Sequence, residues 1–275
     1  MRPERGVLPG FGLSLGITLT FLSVLVIGPL ALLAIKAFSL SPLAIWEIVT
    51  KPRTLSAFRL SIGASLIAAG INALFGTLAA WVLVRYQFPG RRLVDALVDL
   101  PFALPTAVAG ITLAAVYSEN SPLGGWLAEL GIKAAFTPMG VVIALTFIGL
   151  PFVVRTVQPV LEELEPQWEE AAATLGASRL QVLRRVILPE LLPSMATGFA
   201  LAFARALGEY GSVIFIAGNM PGKSEIVPLL VMIKLEQFDY PGAAAISVVF
   251  LAICLLLMLG VNALAWRSGR RLLAH

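Results

Sequence analysis

The sequence predicts an all-α, polytopic integral membrane protein with six transmembrane helices. Of its 275 residues 58% are hydrophobic and 13% charged, whereas soluble domains carry about a quarter charged residues. Mean hydropathy is +0.90. Several apolar runs exceed the roughly 18 residues needed to cross about 30 Å of hydrocarbon. Backbone amides in a bilayer must be satisfied within their own segment, so these runs are helices. They fall at about 11–35, 60–84, 93–117, 138–158, 194–217 and 243–266.

The first run follows Arg2 and Arg5, but the stretch from Val7 to Ile35 is too long for the apolar region of a signal peptide. It is a retained span, kinked at Gly28-Pro29. The connection Lys36 to Arg59 holds a short interfacial helix around Trp46 and a turn at Lys51-Pro52-Arg53. Residues 1–57 thus form an N-terminal helix and external segment, 58–265 a transmembrane core, and 266–275 a tail. A tight basic turn at Pro89-Gly90 leads into the third span, which Pro101, Pro105 and Gly110 should kink. Asp95 and Asp99 open that span behind Arg91 and Arg92, their expected partners. The third loop, Ser118 to Thr137, carries an amphipathic turn around Trp126, and the fifth, Gly218 to Gly242, is turn-rich at Pro221-Gly222 and Pro241-Gly242.

With the N-terminus inside, twelve basic residues fall on inner segments: Arg2, Arg5, Arg85, Arg91, Arg92, Arg155, Arg179, Arg184, Arg185, Arg267, Arg270 and Arg271. Seven fall outside: Lys36, Lys51, Arg53, Arg59, Lys133, Lys223 and Lys234. The positive-inside rule therefore puts both termini and the 159–193 segment in the cytoplasm. The net charge of +4 is spread over loops, so nucleic acid is not an expected partner. Cys254 is the only cysteine and His275 the only histidine. That leaves no intrachain disulfide, nearly excludes histidine-dependent catalysis or metal binding, and offers little from which to build a membrane-embedded enzyme. Gly222-Lys223-Ser224 lacks the first glycine of a phosphate loop and follows a membrane span, not a strand. No catalytic residue and no cofactor is expected on this chain.

The segment between spans four and five has a helical pattern of its own. Glu169 to Leu175 is Ala-rich and helix-favouring, and Gly176 can cap it with a positive φ. Ser178 restarts a helix, with Gln181 completing a capping box. Leu180, Leu183 and Ile187 then recur at helical spacing. Glu170, Ala171, Ala172, Gly176, Val186, Leu188 and Pro189 stand at the spacing of the EAA loop, and the segment resembles that loop of ATP-binding-cassette importer permeases. Val186 stands where isoleucine is usual, which keeps a β-branched group. The resemblance implies a binding-protein-dependent permease fold in which Glu170, Ala171, Ala172, Leu175, Gly176 and Leu180 meet a cytoplasmic ATPase.

In the fifth span, Arg205 and Glu209 are four residues apart near the middle, placed to pair on one helix face. A mid-bilayer arginine costs about 2.5–3.5 kcal/mol on insertion scales, so such residues face a bundle interior or an aqueous path. Arg205, Glu209, Tyr210 and Ser212 are the candidate substrate path, with a purely structural ion pair as the rival. The stretches PFVVRTVQPVLEELEP and ARALGEYGSVIFIAGN are similar to the sulfate/thiosulfate permease group, in particular its T-type subunits. Molybdate permeases share the second stretch, so a molybdate or tungstate importer is the alternative. An ion-driven secondary anion transporter would explain Arg205 and Glu209 but not the EAA spacing. The resemblance further implies a paralogous permease subunit, two ATPases holding ATP and magnesium, an external sulfate-binding protein, and a bacterial inner membrane.

Overall fold

A computed structural model describes residues 10–272, and all regular structure among them is helical. Arg2, Arg5 and His275 lie outside the described residues. Helix α1 (Phe11–Ala37) is mostly apolar and largely exposed. Its expected kink is a π turn over Ser23–Ile27, in which the Gly28 N–H bonds back to the Ser23 carbonyl. Pro29 is the cause: it offers the Leu25 carbonyl no N–H and its ring presses on it, so the ladder widens just upstream.

Helix α2 (Pro42–Thr50) begins at Ser41, whose hydroxyl accepts from the Ala44 N–H at 3.2 Å. After Lys51 the chain enters α3 (Pro52–Arg85) at once, with proline at the first helical position where its fixed φ fits. The span expected to start near residue 60 thus starts eight residues earlier. Its 34 residues extend about 50 Å at 1.5 Å per residue.

The third expected span is not one helix. It is α4 (Arg91–Val98), α5 (Leu100–Ala103) and α6 (Thr106–Tyr117). Leu104 is forced into an extended conformation by the proline that follows, with φ −83° and ψ 135°. Twelve residues of α6 reach only about 18 Å, short of the bilayer core. Among the described residues five helices, not six, are long and apolar enough to cross a membrane. The third passage is nonetheless made. Asn72 lies against Gly149 and Gly76 against Val153, so α3 runs parallel to α8 (Pro138–Glu163). Two consecutive parallel helices require the chain between them to return, and α4 to α6, with α7 (Pro122–Glu129), carry it back.

Helix α9 (Pro166–Thr174) lies in the EAA segment. Helix α10 (Arg179–Leu207) repeats the device of α1: a π turn over Leu183–Ile187 accommodates Pro189, and the Leu188 N–H reaches back to Leu183. The fifth span, expected to run through Ala217, stops at Leu207. Residues 208–212 are non-helical and α11 (Val213–Ile216) follows. The fifth connection, expected to be loop, contains the ten-residue helix α12 (Val227–Glu236), which buries Val227, Leu229 and Leu230. The last helix, α13 (Tyr240–Leu272), starts where Asp239 accepts from the Gly242 N–H at 3.0 Å.

The core is the triple contact of α3, α8 and α10. Val153 of α8 is its knob. A Cβ on Gly76 of α3 would lie 2.9 Å from the Val153 Cβ, and one on Gly198 of α10 2.9 Å from the Val153 Cα. Small residues that let backbones approach are how membrane helices associate, since lipid supplies no hydrophobic drive between them. Phe58 of α3 and Phe250 of α13 stack at 5.5 Å, and α13 also packs on α10, α12 and the second half of α1.

Candidate functional site

The α9 segment is folded as its residues dictate. Gly176 takes φ +83°, the left-handed conformation that ends α9 without a Cβ penalty. Ser178 and Gln181 form the reciprocal capping box, at 2.7 Å from the Ser178 N–H and 3.4 Å from the Gln181 N–H. Helix α9 starts three residues before the expected Glu169, at Pro166. Glu170, Ala171 and Gly176 are exposed, Leu180 is open at 54% and Leu175 at 90%. Ala172 instead turns inward against the core. Leu175 and, seven residues earlier, Trp168 at 63% are exposed apolar side chains of the kind that mark a contact. Cavities flank α9. One of about 520 Å³ is lined by Trp168, Arg185 and Glu190. The other, of about 470 Å³, is lined by Trp81, Glu170 and Arg179.

One lateral ion pair reaches this segment from α3, and others brace the helices beside it. Arg85, the last residue of α3, approaches Glu169 of α9 at 2.6 Å and lies 5.5 Å from the centre of the Trp81 ring. Asp95 and Asp99 do not pair with Arg91 or Arg92. Both carboxylates go to Arg155 of α8, at 2.7 and 2.6 Å. Its remaining donors reach the Asp95 carbonyl and Gln158, so all five guanidinium N–H groups are engaged. The i,i+4 spacing of the two aspartates fits the fork of the guanidinium, and that spacing was visible in the sequence. The partner, 56 and 60 residues away, was not.

At the break after α10, Arg205 and Glu209 do pair, at 2.6 Å, although the helix linking them has already ended. Glu209 is 2% exposed, and its second oxygen accepts from the Ser212 N–H at 2.9 Å and the Ser212 hydroxyl at 3.0 Å. Arg205, Glu209 and Ser212 form one cluster, of which only Arg205 keeps an open side chain. Tyr210 is elsewhere, in an apolar groove of about 590 Å³ with Leu30, Val231 and Phe250. The break packs against α6 without room for side chains: a Cβ on Gly110 would overlap the Ser212 carbonyl, and one on Gly211 the Thr106 hydroxyl. Non-helical backbone at membrane depth is tolerated where protein covers it or water reaches it, and two interrupted passages here cover each other.

Sequence reasoning missed a further ion pair. Glu225, with no exposed side-chain surface, receives two bonds from Arg53, at 2.8 and 2.6 Å, and the Ser61 hydroxyl accepts from the Val227 N–H at 2.8 Å. These stitch the start of α3 to the loop before α12. A glutamate bounding an apolar octapeptide was the available signal. Among the described residues no group of three or more His, Cys, Asp or Glu is arranged to hold a metal ion.

Comparison with known proteins agrees with this architecture. The sulfate transport system permease protein CysT of Salmonella typhimurium is 51% identical over 272 residues, covering 99% of this chain and 98% of that one. The protein of the same name from Synechocystis is 50% identical over 255 residues, covering 93% and 89%. A crystal structure of a bacterial ABC transporter involved in the import of alginate superposes with a TM-score of 0.76 over 92% of this chain and 94% of its own. At 15% identity that likeness speaks for the fold alone. Residues 72–271 match the model of the binding-protein-dependent transport system inner membrane component, and the chain belongs to that family of membrane permeases.

Proposed function

We propose that this chain is the membrane-spanning permease subunit of an ATP-driven importer of sulfate or thiosulfate. The observation that carries the cargo is the 51% identity, end to end, with a sulfate permease. Two cytoplasmic ATPases hold ATP and magnesium, a soluble sulfate-binding protein delivers the anion from outside, and a paralogous permease subunit completes the pore. The chain lies in a bacterial inner membrane with both termini in the cytoplasm. Helix α9 and the turn into α10 dock on an ATPase through Glu170, Ala171, Leu175, Gly176 and Leu180, with Ala172 seating the helix on the core, a reading supported by their exposed, capped geometry. Closure of the ATPases on nucleotide displaces α9, and the helix bundle exchanges an outward for an inward opening. The chain itself makes and breaks no covalent bond.

Arg205 gives the path a positive potential that favours a dianion, and Glu209 holds it in place. Ser212 steadies the carboxylate, and Tyr210 joins the path from the side of the apolar groove it lines. The test is uptake of labelled sulfate into right-side-out vesicles containing the assembled complex. Uptake is expected to require ATP and the binding protein, to survive an uncoupler, and to be competed by thiosulfate. Competition by molybdate alone, or collapse on uncoupling, would overturn the cargo or the energy source respectively.

A further inference from the structure

We propose that the Arg85–Glu169 ion pair is a third strut of the coupling helix, which transmits its displacement directly into α3. The proposal rests on the docking of α9 described above. Helix α9 is nine residues long and joined to the bundle through two loose ends. At one end Glu165-Pro166 follows the extended Leu164 (φ −70°, ψ 105°); at the other stands the left-handed Gly176. Between these joints α9 rests on the core through Ala172, an apolar contact that still lets it roll about the line joining them, and a roll would absorb the motor's stroke. The pair with Arg85 is the one ion pair α9 makes among the described residues, and it lies off that line. It anchors the roll.

Both partners are built for a fixed position. Arg85 is only 19% exposed and Glu169 32%. The Arg85 guanidinium is held over the Trp81 ring one turn earlier on the same helix, and a cation suits the last turn of a helix, where carbonyls are unpaired. The two atoms in contact, Arg85 Nη2 and Glu169 Oε1, are sealed from solvent, although the contact is not aligned for a hydrogen bond. Such a contact depends on charge and permits small rotations, as a strut between moving elements must. Helix α3 is the useful recipient. It is locked to α8 and α10 at the Val153 knob, so displacing its end displaces the three-helix core as a unit. Glu169 precedes the residues that face the ATPase, and this assigns it to the chain's own interior.

The test uses Arg85→Gln, Glu169→Gln and the charge exchange Arg85→Glu with Glu169→Arg, each assembled with its partners in nanodiscs. Both single variants are expected to assemble but to lose several-fold in sulfate transported per ATP hydrolysed. The exchange should recover most of that loss, which a role in folding alone would not produce. An unchanged ratio in the singles, or an exchange no better than they are, overturns the strut. A second readout is independent of docking: spin labels at Gln87→Cys and Gln167→Cys, in a Cys254→Ser background, report the α3–α9 distance in the full chain without ATPases. A narrow distribution that broadens in Arg85→Gln supports the strut. An unbroadened one overturns it even where α9 docks as proposed. A broadened distribution with normal coupling in Gly176→Val would instead locate the failure in the docking of α9.

Discussion

At the residue scale the informative positions are those where chemistry is committed by one neighbour. Gly198 meets the Val153 backbone, which cannot yield as a flexible side chain could. Gly198→Ala is therefore expected to destabilise by about 1–3 kcal/mol, the usual range for overpacking a core. Gly63, in the same bundle, has open space for 4 Å around the place a Cβ would take, and Gly63→Ala should be neutral or slightly stabilising because alanine suits a helix interior better. Thermal loss of the monodisperse peak in detergent reads both. Arg205 asks a harder question, because removing it alone strands a buried Glu209 and confounds folding with transport. The useful set is Arg205→Met, Glu209→Gln and the pair, since glutamine keeps an oxygen for Ser212. The double variant is expected to assemble normally yet take up sulfate about tenfold or more slowly, because the positive potential on the path is gone. Full uptake in an assembled double variant would return both residues to a structural role.

At the element scale, breaks and caps carry more meaning than the helices between them. Gly176 has open space around it, so a substitution there is strained by conformation alone, by roughly 1–2 kcal/mol for a residue with a Cβ in the left-handed region. Gly176→Val should uncouple substrate-stimulated ATP hydrolysis while membrane insertion is retained, whereas Gly176→Asn, which tolerates that conformation, should keep most of it. Stimulated hydrolysis by the reconstituted complex checks this, and full coupling in the valine variant would sink the docking of α9. The capped α9–α10 turn was legible beforehand, since Gly176, Ser178 and Gln181 act within three or four residues. Both interrupted passages were not. Hydropathy averages over a window, so 93–117 and 194–217 look continuous. The extended Leu104 was announced by Pro105, but nothing local announces that Gly208 to Ser212 unwinds. That segment is shaped by the close approach of Gly110 and by the Glu209–Ser212 bonds.

At the scale of the whole molecule the topology turns on one discontinuous passage. If α4 to α6 together count as a crossing, the number is even and the termini share a side. Reporter fusions at Gly6, Gly90 and after His275 are then expected to read cytoplasmic, and fusions near Gly124 and Gly222 external. A C-terminal fusion reading external would mean an odd number of crossings, and would move the EAA segment or remove a helix. What the sequence by itself determined was everything set by period, composition and short spacing: membrane residence, helical class, five of the passages, and the EAA turn. These depend on a residue and neighbours within one or two turns, or on the bilayer, which acts on every residue alike. Only the tertiary structure decided which helices share the Val153 knob, that Arg155 rather than Arg91 or Arg92 takes the two aspartates, and that Arg85 reaches Glu169. The ion-pair partners lie 56 or more residues apart along the chain. An ion pair of that range is specified by where rigid helices come to rest, and no local pattern encodes it.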